Sequence, residues 1–409
     1  MSIFTRYFDA QINEIKKDNA LRFYGAFLGV AQVLVFWAWH VTGAVNYISN
    51  EEEPFCWPFF ENCFKYRFFG YGKSEVLIFF FAFVAIISIL LFLSKKRPKL
   101  AYWWLFFVNL YGTLIYVQDF RLRHNQNYML FFAVFVFLFL PNKRRLLRYT
   151  LVLFYFWAST LKYNTEWLSG AALYAKPLLV PDAFIPASCA YVVILESIIV
   201  WGLLSKIKWV YWAAFFQIAL FHIESWPVVD FWYPLLMFCL LSIFPLSYFI
   251  SDPGEEKSLL SNLVKGKEPV TTYLFIVFFS FLQLIPIIMP GDEKVTGEGR
   301  LFALNMFDAR VSCEGAITLR FKDGTTKEFL IPTKEAPRIT CDPVLYFTRA
   351  KRLCWENKNN PNFLDLDLQY KARRANEITM KPLVDVKDFC SSNISYDMLH
   401  PNKWIIKNR

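Results

Sequence analysis

Long apolar runs separated by short polar segments dominate the first 290 residues of the chain. An α-helix needs about 20 apolar residues to cross a membrane. Nine runs come near that length: 22–42, 74–94, 101–118, 128–141, 147–163, 185–204, 208–224, 230–250 and 271–290. The run 128–141 is the shortest. The pattern predicts a nine-helix membrane domain over residues 21–290.

The two ends of the chain have a different pattern. Residues 5–20 place Phe4, Tyr7, Phe8, Ile12 and Ile15 on one helical face, so residues 1–20 are predicted to form an amphipathic helix on the cytoplasmic surface. Residues 291–409 are polar and of domain size.

The polar C-terminal segment carries signals for both strands and helices. Within 316–332, apolar and polar residues alternate around Asp323-Gly324, which predicts a β-hairpin. The following stretch 342–380 has helical periodicity and many charges. The predicted fold class is therefore a polytopic α-helical membrane protein with a C-terminal extracytoplasmic α+β domain.

Composition and charge support a membrane protein and suggest its orientation. The 409 residues are 56% hydrophobic and 20% aromatic, with a formal net charge of +10. Basic residues cluster at 94–99, 142–148 and 205–208, on the same side as 251–268, which makes that side cytoplasmic. The N-terminus is then cytoplasmic, and the C-terminal domain is periplasmic, lumenal or extracellular. This clustering does not favour nucleic acid as a partner.

One pair of basic residues violates this orientation. Arg121 and Arg123 fall on the predicted outer side, next to His124. Two interpretations stay open: the arginines belong to a site or to salt bridges, or they lie in a solvated loop.

Cysteine positions suit disulfide bonds better than metal binding. Cys189 and Cys239 lie in apolar runs, where a lone thiol is usually a packing residue. The other six lie in segments predicted to be outside: Cys56, Cys63, Cys313, Cys341, Cys354 and Cys390. An even number in an oxidising compartment predicts disulfides, whose pairing the sequence does not fix. With no CxxC and no histidine cluster, no metal site is predicted.

The stretch 151–170, LVLFYFWASTLKYNTEWLSG, is the strongest candidate for chemistry. Lys162 ends an apolar run, and an ammonium buried there is costly to desolvate, which makes the lysine a candidate base. The alternative is a lysine that extends to the lipid headgroups. Glu196 is the ionisable residue deepest in any run, and it is either a structural hydrogen-bonding group or part of a site. His222 falls on the same predicted outer side as Lys162.

Several function classes have no support in the sequence. We find no GxSxG, Walker, HExxH or dinucleotide-binding motif, so hydrolase, ATPase, zincin and Rossmann functions are not indicated. A transporter would be expected to carry charges along a path through the membrane, and here the charges gather at one end.

The chain resembles the vitamin K-dependent γ-glutamyl carboxylase family. The run YFWASTLKYNTEWLSG is similar to the family's Lys-x-x-x-acid-Trp segment. Three further segments agree in order: Asn125-Gln126-Asn127-Tyr128 before an apolar run, Phe221-His222 before a polar turn, and FDARVSCEGAITLRFKDGTTKEFLIP after the last run. The similarity extends from about residue 20 to about residue 355.

The resemblance implies a reaction and a set of site residues. Reduced vitamin K, or another isoprenoid hydroquinone, would react with O2 after deprotonation by Lys162, and the resulting base would allow CO2 to be added to a peptide glutamate. Lys162, Gln126 and His222 fall at catalytic positions. Cofactor contacts would come from Asn125, Glu196, Tyr128, Trp167 and Phe329. The expected partners are membrane lipid, the quinone and a secreted peptide or protein.

Gln126 stands where the family has a histidine, and Phe329 where it has a tyrosine. Glutamine cannot deliver a proton at neutral pH, so two alternatives stay open: quinol oxygenation alone, or quinol oxygenation coupled to carboxylation of a glutamate. Two hypotheses follow from the sequence: a quinone-using membrane enzyme of this family, and a scaffold or maturation factor that binds a lipid, quinone or secreted peptide without carboxylating it.

Overall fold

A computed structural model describes most of the chain. The described residues are 2–41, 55–61, 63, 74–171, 173, 178–229, 231–250, 259–304, 311–330 and 340–407. The predicted outer loop 43–73 and the stretch 251–268 lie partly outside this set, as do the first and last residues of the segment 307–332.

The described part of residues 1–290 is mostly helical, and helices lie over each of the nine predicted runs. The helices are α1 (Ile3–Lys17), α2 (Asn19–Val41), α3 (Ser74–Leu93), α4 (Pro98–Tyr116), α5 (Asn125–Phe139), α6 (Lys143–Thr160), α7 (Thr165–Leu168), α8 (Ile185–Ser197), α9 (Lys208–Val229), α10 (Trp232–Leu241), α11 (Ile243–Ile250), α12 (Leu259–Val264) and α13 (Val270–Ile288). A 3-10 segment, Ile199–Leu204, prolongs α8.

Five of these apolar regions are long and apolar enough to cross a membrane. Within the described residues they are Asn19–Val41, Glu75–Leu93, Asp182–Leu204, Trp232–Ile250 and Val270–Ile288. The fold is therefore that of a helical membrane protein. The other four predicted spans are helical, but they are shorter or carry charged, amide and aromatic residues that reduce their hydropathy, so nine crossings stay a prediction.

The amphipathic N-terminal helix is confirmed as α1. Ser2 caps it, because its Oγ accepts a hydrogen bond from the Thr5 backbone N–H at 3.2 Å. Ile12 and Ile15 of the predicted apolar face are buried, whereas Phe4 is exposed. The inner half of this face therefore packs on the helices that follow.

Helix α6 lies at the centre of the bundle. It packs against α5, α8, α11 and α13, and its apolar residues Leu151, Val152 and Phe154 are fully buried. Lys143 at its start and Lys162 just beyond its end are nevertheless buried.

The C-terminal domain contains a four-stranded antiparallel sheet. Its elements are α14 (Glu293–Thr296), β1 (Ser312–Phe321), β2 (Thr326–Leu330), α15 (Pro343–Asn357), β3 (Phe363–Arg373) and β4 (Lys381–Val386), with strand order β2-β1-β3-β4. The predicted hairpin is confirmed, since Ala316 pairs with Leu330 and Gly324 adopts a positive φ of 82° in the turn.

The helical prediction for 342–380 is correct only in its first part. α15 ends at Asn357, and β3 follows. Leu366, Leu368, Tyr370 and Ala372 are buried at every second position. This period of two marks a strand with one face on the core, and it outweighs the helical spacing of the charges.

Three disulfides cross-link the segments that precede and form this domain. The bonded pairs are Cys56–Cys63, Cys313–Cys341 and Cys354–Cys390, whereas Cys189 and Cys239 are free and buried. The prediction of six bonded and two packing cysteines is confirmed.

Candidate functional site

Lys162 is buried just beyond the end of α6. Its side chain is 4% exposed, and Nζ donates hydrogen bonds to Glu196 Oε2 at 2.5 Å and to the Ala158 carbonyl at 3.3 Å. Glu196 lies on α8 and is 1% exposed. The lysine therefore does not extend to the headgroups, and the acidic side chain deepest in the apolar runs is its ion-pair partner.

Two further helices contribute to the same cluster. Tyr155 of α6 and His222 of α9 share a 2.6 Å hydrogen bond between the phenol oxygen and Nε2. Glu196 lies within electrostatic reach of Tyr155, and Lys162 within reach of His222. We name Lys162, Glu196, His222, Tyr155 and Trp167 the lysine cluster.

Trp167 gives the cluster an aromatic wall. The Lys162 Nζ lies 5.4 Å from the centroid of the indole ring, a distance at which the ring face attracts a cation. The indole Nε1 donates to the Cys189 carbonyl at 2.9 Å, and the Trp167 backbone N–H donates to Asn164 Oδ1 at 2.9 Å. Asn164 thus caps α7 and fixes the ring against α8.

Two polar atoms of the cluster have no hydrogen-bond partner within the described part of the chain. They are Glu196 Oε1 and His222 Nδ1, and both are buried. An unpaired buried polar atom is costly and usually marks a site for a ligand or an ordered water. The cluster can therefore accept a further polar group.

The C-terminal domain contacts the segment between α6 and α7 that carries Lys162. Lys294 Nζ donates to the Leu161 carbonyl at 2.6 Å. Arg374 forms ion pairs with Asp292 and, at 3.7 Å, with Glu166. Because Leu161 and Glu166 flank Lys162, the polar domain fixes the position of the catalytic candidate from outside.

The predicted residues of α5 lie at the start of that helix. Tyr128 donates its hydroxyl hydrogen to the Phe302 carbonyl at 2.6 Å and accepts from Gln283 Nε2 at 2.8 Å. Asn125 and Gln126 are half-buried. Within the described residues, no hydrogen bond joins Gln126 to Lys162.

Phe329 belongs to the sheet of the C-terminal domain. It lies on β2 opposite Ile317, and the Lys327 Nζ lies 4.8 Å from its ring centroid. Of the eight predicted site residues, Lys162, Glu196, His222 and Trp167 come together. Tyr128 and Phe329 are placed in other surroundings.

Sequence reasoning missed Tyr155, Lys294 and Arg374. Tyr155 lies seven residues before Lys162, two helical turns, and is therefore on the same face of α6, a spacing that could have identified it. Lys294 and Arg374 had no comparable signal, because a polar domain contains many exposed basic residues.

The arginines that violate the orientation pattern are salt-bridged. Arg121 Nη2 lies 2.8 Å from Asp119 Oδ2, and Arg123 Nη1 lies 3.6 Å from Asp342 Oδ2 in the C-terminal domain. Both are therefore structural ion-pair residues, as the first of the two open interpretations allowed. Among the described residues, no group of three or more His, Cys, Asp or Glu side chains is placed to hold a metal.

Comparison with protein-family profiles, with curated proteins and with solved structures found no match. The fold and the site together define a helical membrane protein with a disulfide-bonded α+β domain and a buried lysine–glutamate pair where the two parts meet.

Proposed function

We propose that this chain is a membrane enzyme that uses a reduced isoprenoid quinone and O2, in the manner of the vitamin K-dependent γ-carboxylase family. The observation that carries the proposal is the buried Lys162–Glu196 pair with a spare carboxylate oxygen. A lone buried cation would be explained by structure alone, but a pair with an unpaired acceptor can take up a proton.

The pair acts as one unit in accepting a proton. With Glu196 ionised and Lys162 protonated, the next proton goes to the free Oε1, while Oε2 continues to accept from Nζ at 2.5 Å. A proton bound at Oε1 would lie within the hydrogen-bonded pair, so the proposed base is the pair and not the lysine alone. A phenolic O–H next to Oε1 is the type of donor that such a base would deprotonate.

His222 and Tyr155 place a second polar group in the same water-poor region. The shared hydrogen bond leaves one ring nitrogen, Nδ1, free to donate or accept according to the tautomer. This nitrogen could orient a second oxygen of a bound ring. Trp167 supplies a flat apolar surface near Lys162.

A hydroquinone fits the donor and acceptor groups of the cluster. Its two hydroxyl groups match the unpaired oxygen of Glu196 and the unpaired nitrogen of His222, and its isoprenoid tail suits entry from lipid. When bound, it would supply four electrons to O2, two in its oxidation to the quinone and two in forming the C–O bonds of the epoxide, with one oxygen atom ending in the quinone epoxide and the other in water.

Carboxylation of a peptide glutamate by CO2 is the less supported half of the proposal. It needs a group near the base that handles the substrate proton, and an amide at Gln126 is neither acid nor base near neutral pH. We therefore propose quinol epoxidation as the core activity. Restoring a histidine with Gln126→His should raise any carboxylation of a glutamate peptide above that of the natural chain, measured as ¹⁴CO2 incorporation.

We further propose nine crossings with the C-terminal domain on the extracytoplasmic side. Three disulfides in and before that domain and the basic loops between the apolar helices support this orientation. A cysteine replacing Lys327 should react with an impermeant maleimide applied from outside, and one replacing exposed Lys99 should react only after permeabilisation. The reverse pattern contradicts the orientation.

The activity has a direct test. Purified protein given a reduced naphthoquinone and O2 should form quinone epoxide, and Lys162→Met should reduce the rate to background. Lys143→Met is the matched control, because Lys143 is a buried lysine at the other end of α6. Equal turnover by Lys162→Met and the natural protein would refute the assignment of Lys162 to the base, provided that thermal melting shows both proteins to be folded.

A second candidate is a non-carboxylating scaffold or maturation factor, which Gln126 favours. Mass spectrometry of molecules that co-purify with the chain separates the two. A stoichiometric quinone supports the enzyme, and a bound peptide without quinone supports the scaffold.

A further inference from the structure

A separate cavity of about 410 Å³ lies beside α5. It faces the side of this helix that is opposite the buried Met129. Helices α2, α4, α5 and α13 form its walls, and Leu301, Phe302 and Met398 of the C-terminal part complete it. Its volume is within the range of small-molecule sites. None of its lining residues belongs to the lysine cluster.

Among the described residues, no Lys, Arg, Asp, Glu or His side chain lines this cavity. Most of the lining is apolar, including Val35, Leu130, Phe131, Phe132 and Leu282. An ionised ligand would lose its hydration without gaining a counter-charge. The site therefore selects an uncharged molecule with a large apolar part.

Several polar groups of the lining are already paired. The Tyr128 hydroxyl donates to Phe302 and accepts from Gln283, and Trp57 Nε1 donates to the Tyr116 carbonyl at 3.1 Å. Gln32 Nε2 approaches Asn109 Oδ1 at 3.5 Å. These groups therefore define the shape of the cavity more than they offer hydrogen bonds to a ligand.

Two buried side-chain atoms of the lining, one donor and one acceptor, have no hydrogen-bond partner within the described residues. Trp39 is 2% exposed, and its Nε1 has no partner within the described residues. Asn127 donates from Nδ2 to the Leu122 carbonyl at 2.8 Å, which fixes the amide, and its buried Oδ1 has no partner there either. One hydroxyl group can accept from an indole N–H and donate to an amide oxygen.

We propose that this cavity binds an uncharged amphiphile that carries a hydroxyl group, with its apolar body among the aromatic and aliphatic lining. A lipid alcohol and a reduced quinone share this chemistry. A free fatty acid does not, because its carboxylate is charged. The proposal does not rest on the lysine cluster, since a Lys162→Met protein retains the whole lining.

The test is photo-labelling of the full-length protein in phosphatidylcholine nanodiscs with a diazirine-bearing hexadecanol. Labelled peptides should map to 32–39 and 127–132. Geranylgeraniol and a reduced menaquinone should compete, and oleate should not. Whichever of the two hydroxylated competitors acts at the lower concentration identifies the source of the natural ligand.

Asn127→Leu and Trp39→Phe each remove one unpaired group and should weaken labelling roughly fivefold, the effect of one hydrogen bond. Trp39→Phe deletes a donor that has no partner among the described residues, so it should remain folded even if Asn127→Leu does not. Gln217→Leu and Trp209→Phe are matched controls outside the cavity, both on α9, and should label normally.

Labelling at other segments would overturn the proposal. So would labelling that is unchanged in folded Trp39→Phe protein, or competition by oleate as strong as by geranylgeraniol. Loss of epoxide formation in Lys162→Met with normal labelling would confirm that the two sites are independent.

Discussion

The two ends of α6 each carry a buried lysine, and their ammonium groups have different partners. At the start, Lys143 is fully buried, and its Nζ donates to Gln11 Oε1 at 2.6 Å and to the Leu140 carbonyl at 2.8 Å. These acceptors are neutral. The nearby carboxylate of Glu14 accepts from the Lys143 backbone N–H instead, at 2.6 Å.

At the far end, Lys162 donates to a carboxylate, and the second oxygen of that carboxylate is unpaired. Lys143 thus joins α1 to the start of α6 through neutral oxygen atoms, whereas Lys162 is paired with a carboxylate. The difference shows that burial of a lysine alone does not indicate chemistry. The unsatisfied atoms of its partner do.

The largest effect is expected from removing Glu196. Glu196→Leu leaves the Lys162 charge buried without a partner, which should lower the free energy of unfolding by about 3–5 kcal/mol. The double variant Lys162→Met/Glu196→Leu should recover most of that loss, because no buried charge remains. Denaturant unfolding in detergent would measure both, and a double variant no more stable than Glu196→Leu would contradict the ion pair.

Replacing Lys143 should lower the free energy of unfolding by less than replacing Glu196 does, and it should leave activity intact. Lys143→Met strands the Gln11 and Leu140 oxygen atoms, a loss of about 1–3 kcal/mol. Quinol turnover per folded molecule should stay at the natural level, whereas Lys162→Met should abolish it. Loss of turnover in folded Lys143→Met protein would break the distinction between the two ends of α6.

Arg374→Met tests how far the C-terminal domain fixes the lysine end of α6. The buried Glu166 and the half-buried Asp292 lose their shared ion-pair partner, so stability should fall by about 1–2 kcal/mol. Lys381→Met is the control. It removes an exposed pair with Glu377, which should contribute at most about 1 kcal/mol. Equal losses of stability in the two variants would show that the ion pairs of Arg374 do not fix the lysine end of α6.

The sequence predicted the elements of the fold better than the contacts between them. Runs of apolar residues located the helices, and the Asp323-Gly324 turn located the hairpin, because both signals are local. Lys162 and Glu196 were each recognised as costly residues in apolar runs. Their pairing was not, since it depends on how α6 and α8 pack across 34 residues of chain. The shared cavity of Trp39 and Asn127 was not predicted for the same reason, although Asn127 was noted in the segment Asn125-Gln126-Asn127-Tyr128.

The smallest expected effect concerns Lys294, a third buried lysine, which donates to the Leu161 carbonyl beside Lys162. Burial lowers the pKa of Lys294 from its ordinary value of 10.5, although Glu293 partly opposes the shift. Between the lowered pKa and 10.5 the unfolded chain holds more protons than the folded one, so this lysine makes stability rise with pH over that window. The free energy of unfolding of the natural protein, minus that of Lys294→Met, should therefore increase as pH approaches 10.5. Parallel stability curves for the two proteins would mean that Lys294 titrates alike in both states, and that its surroundings beside Leu161 are open to water.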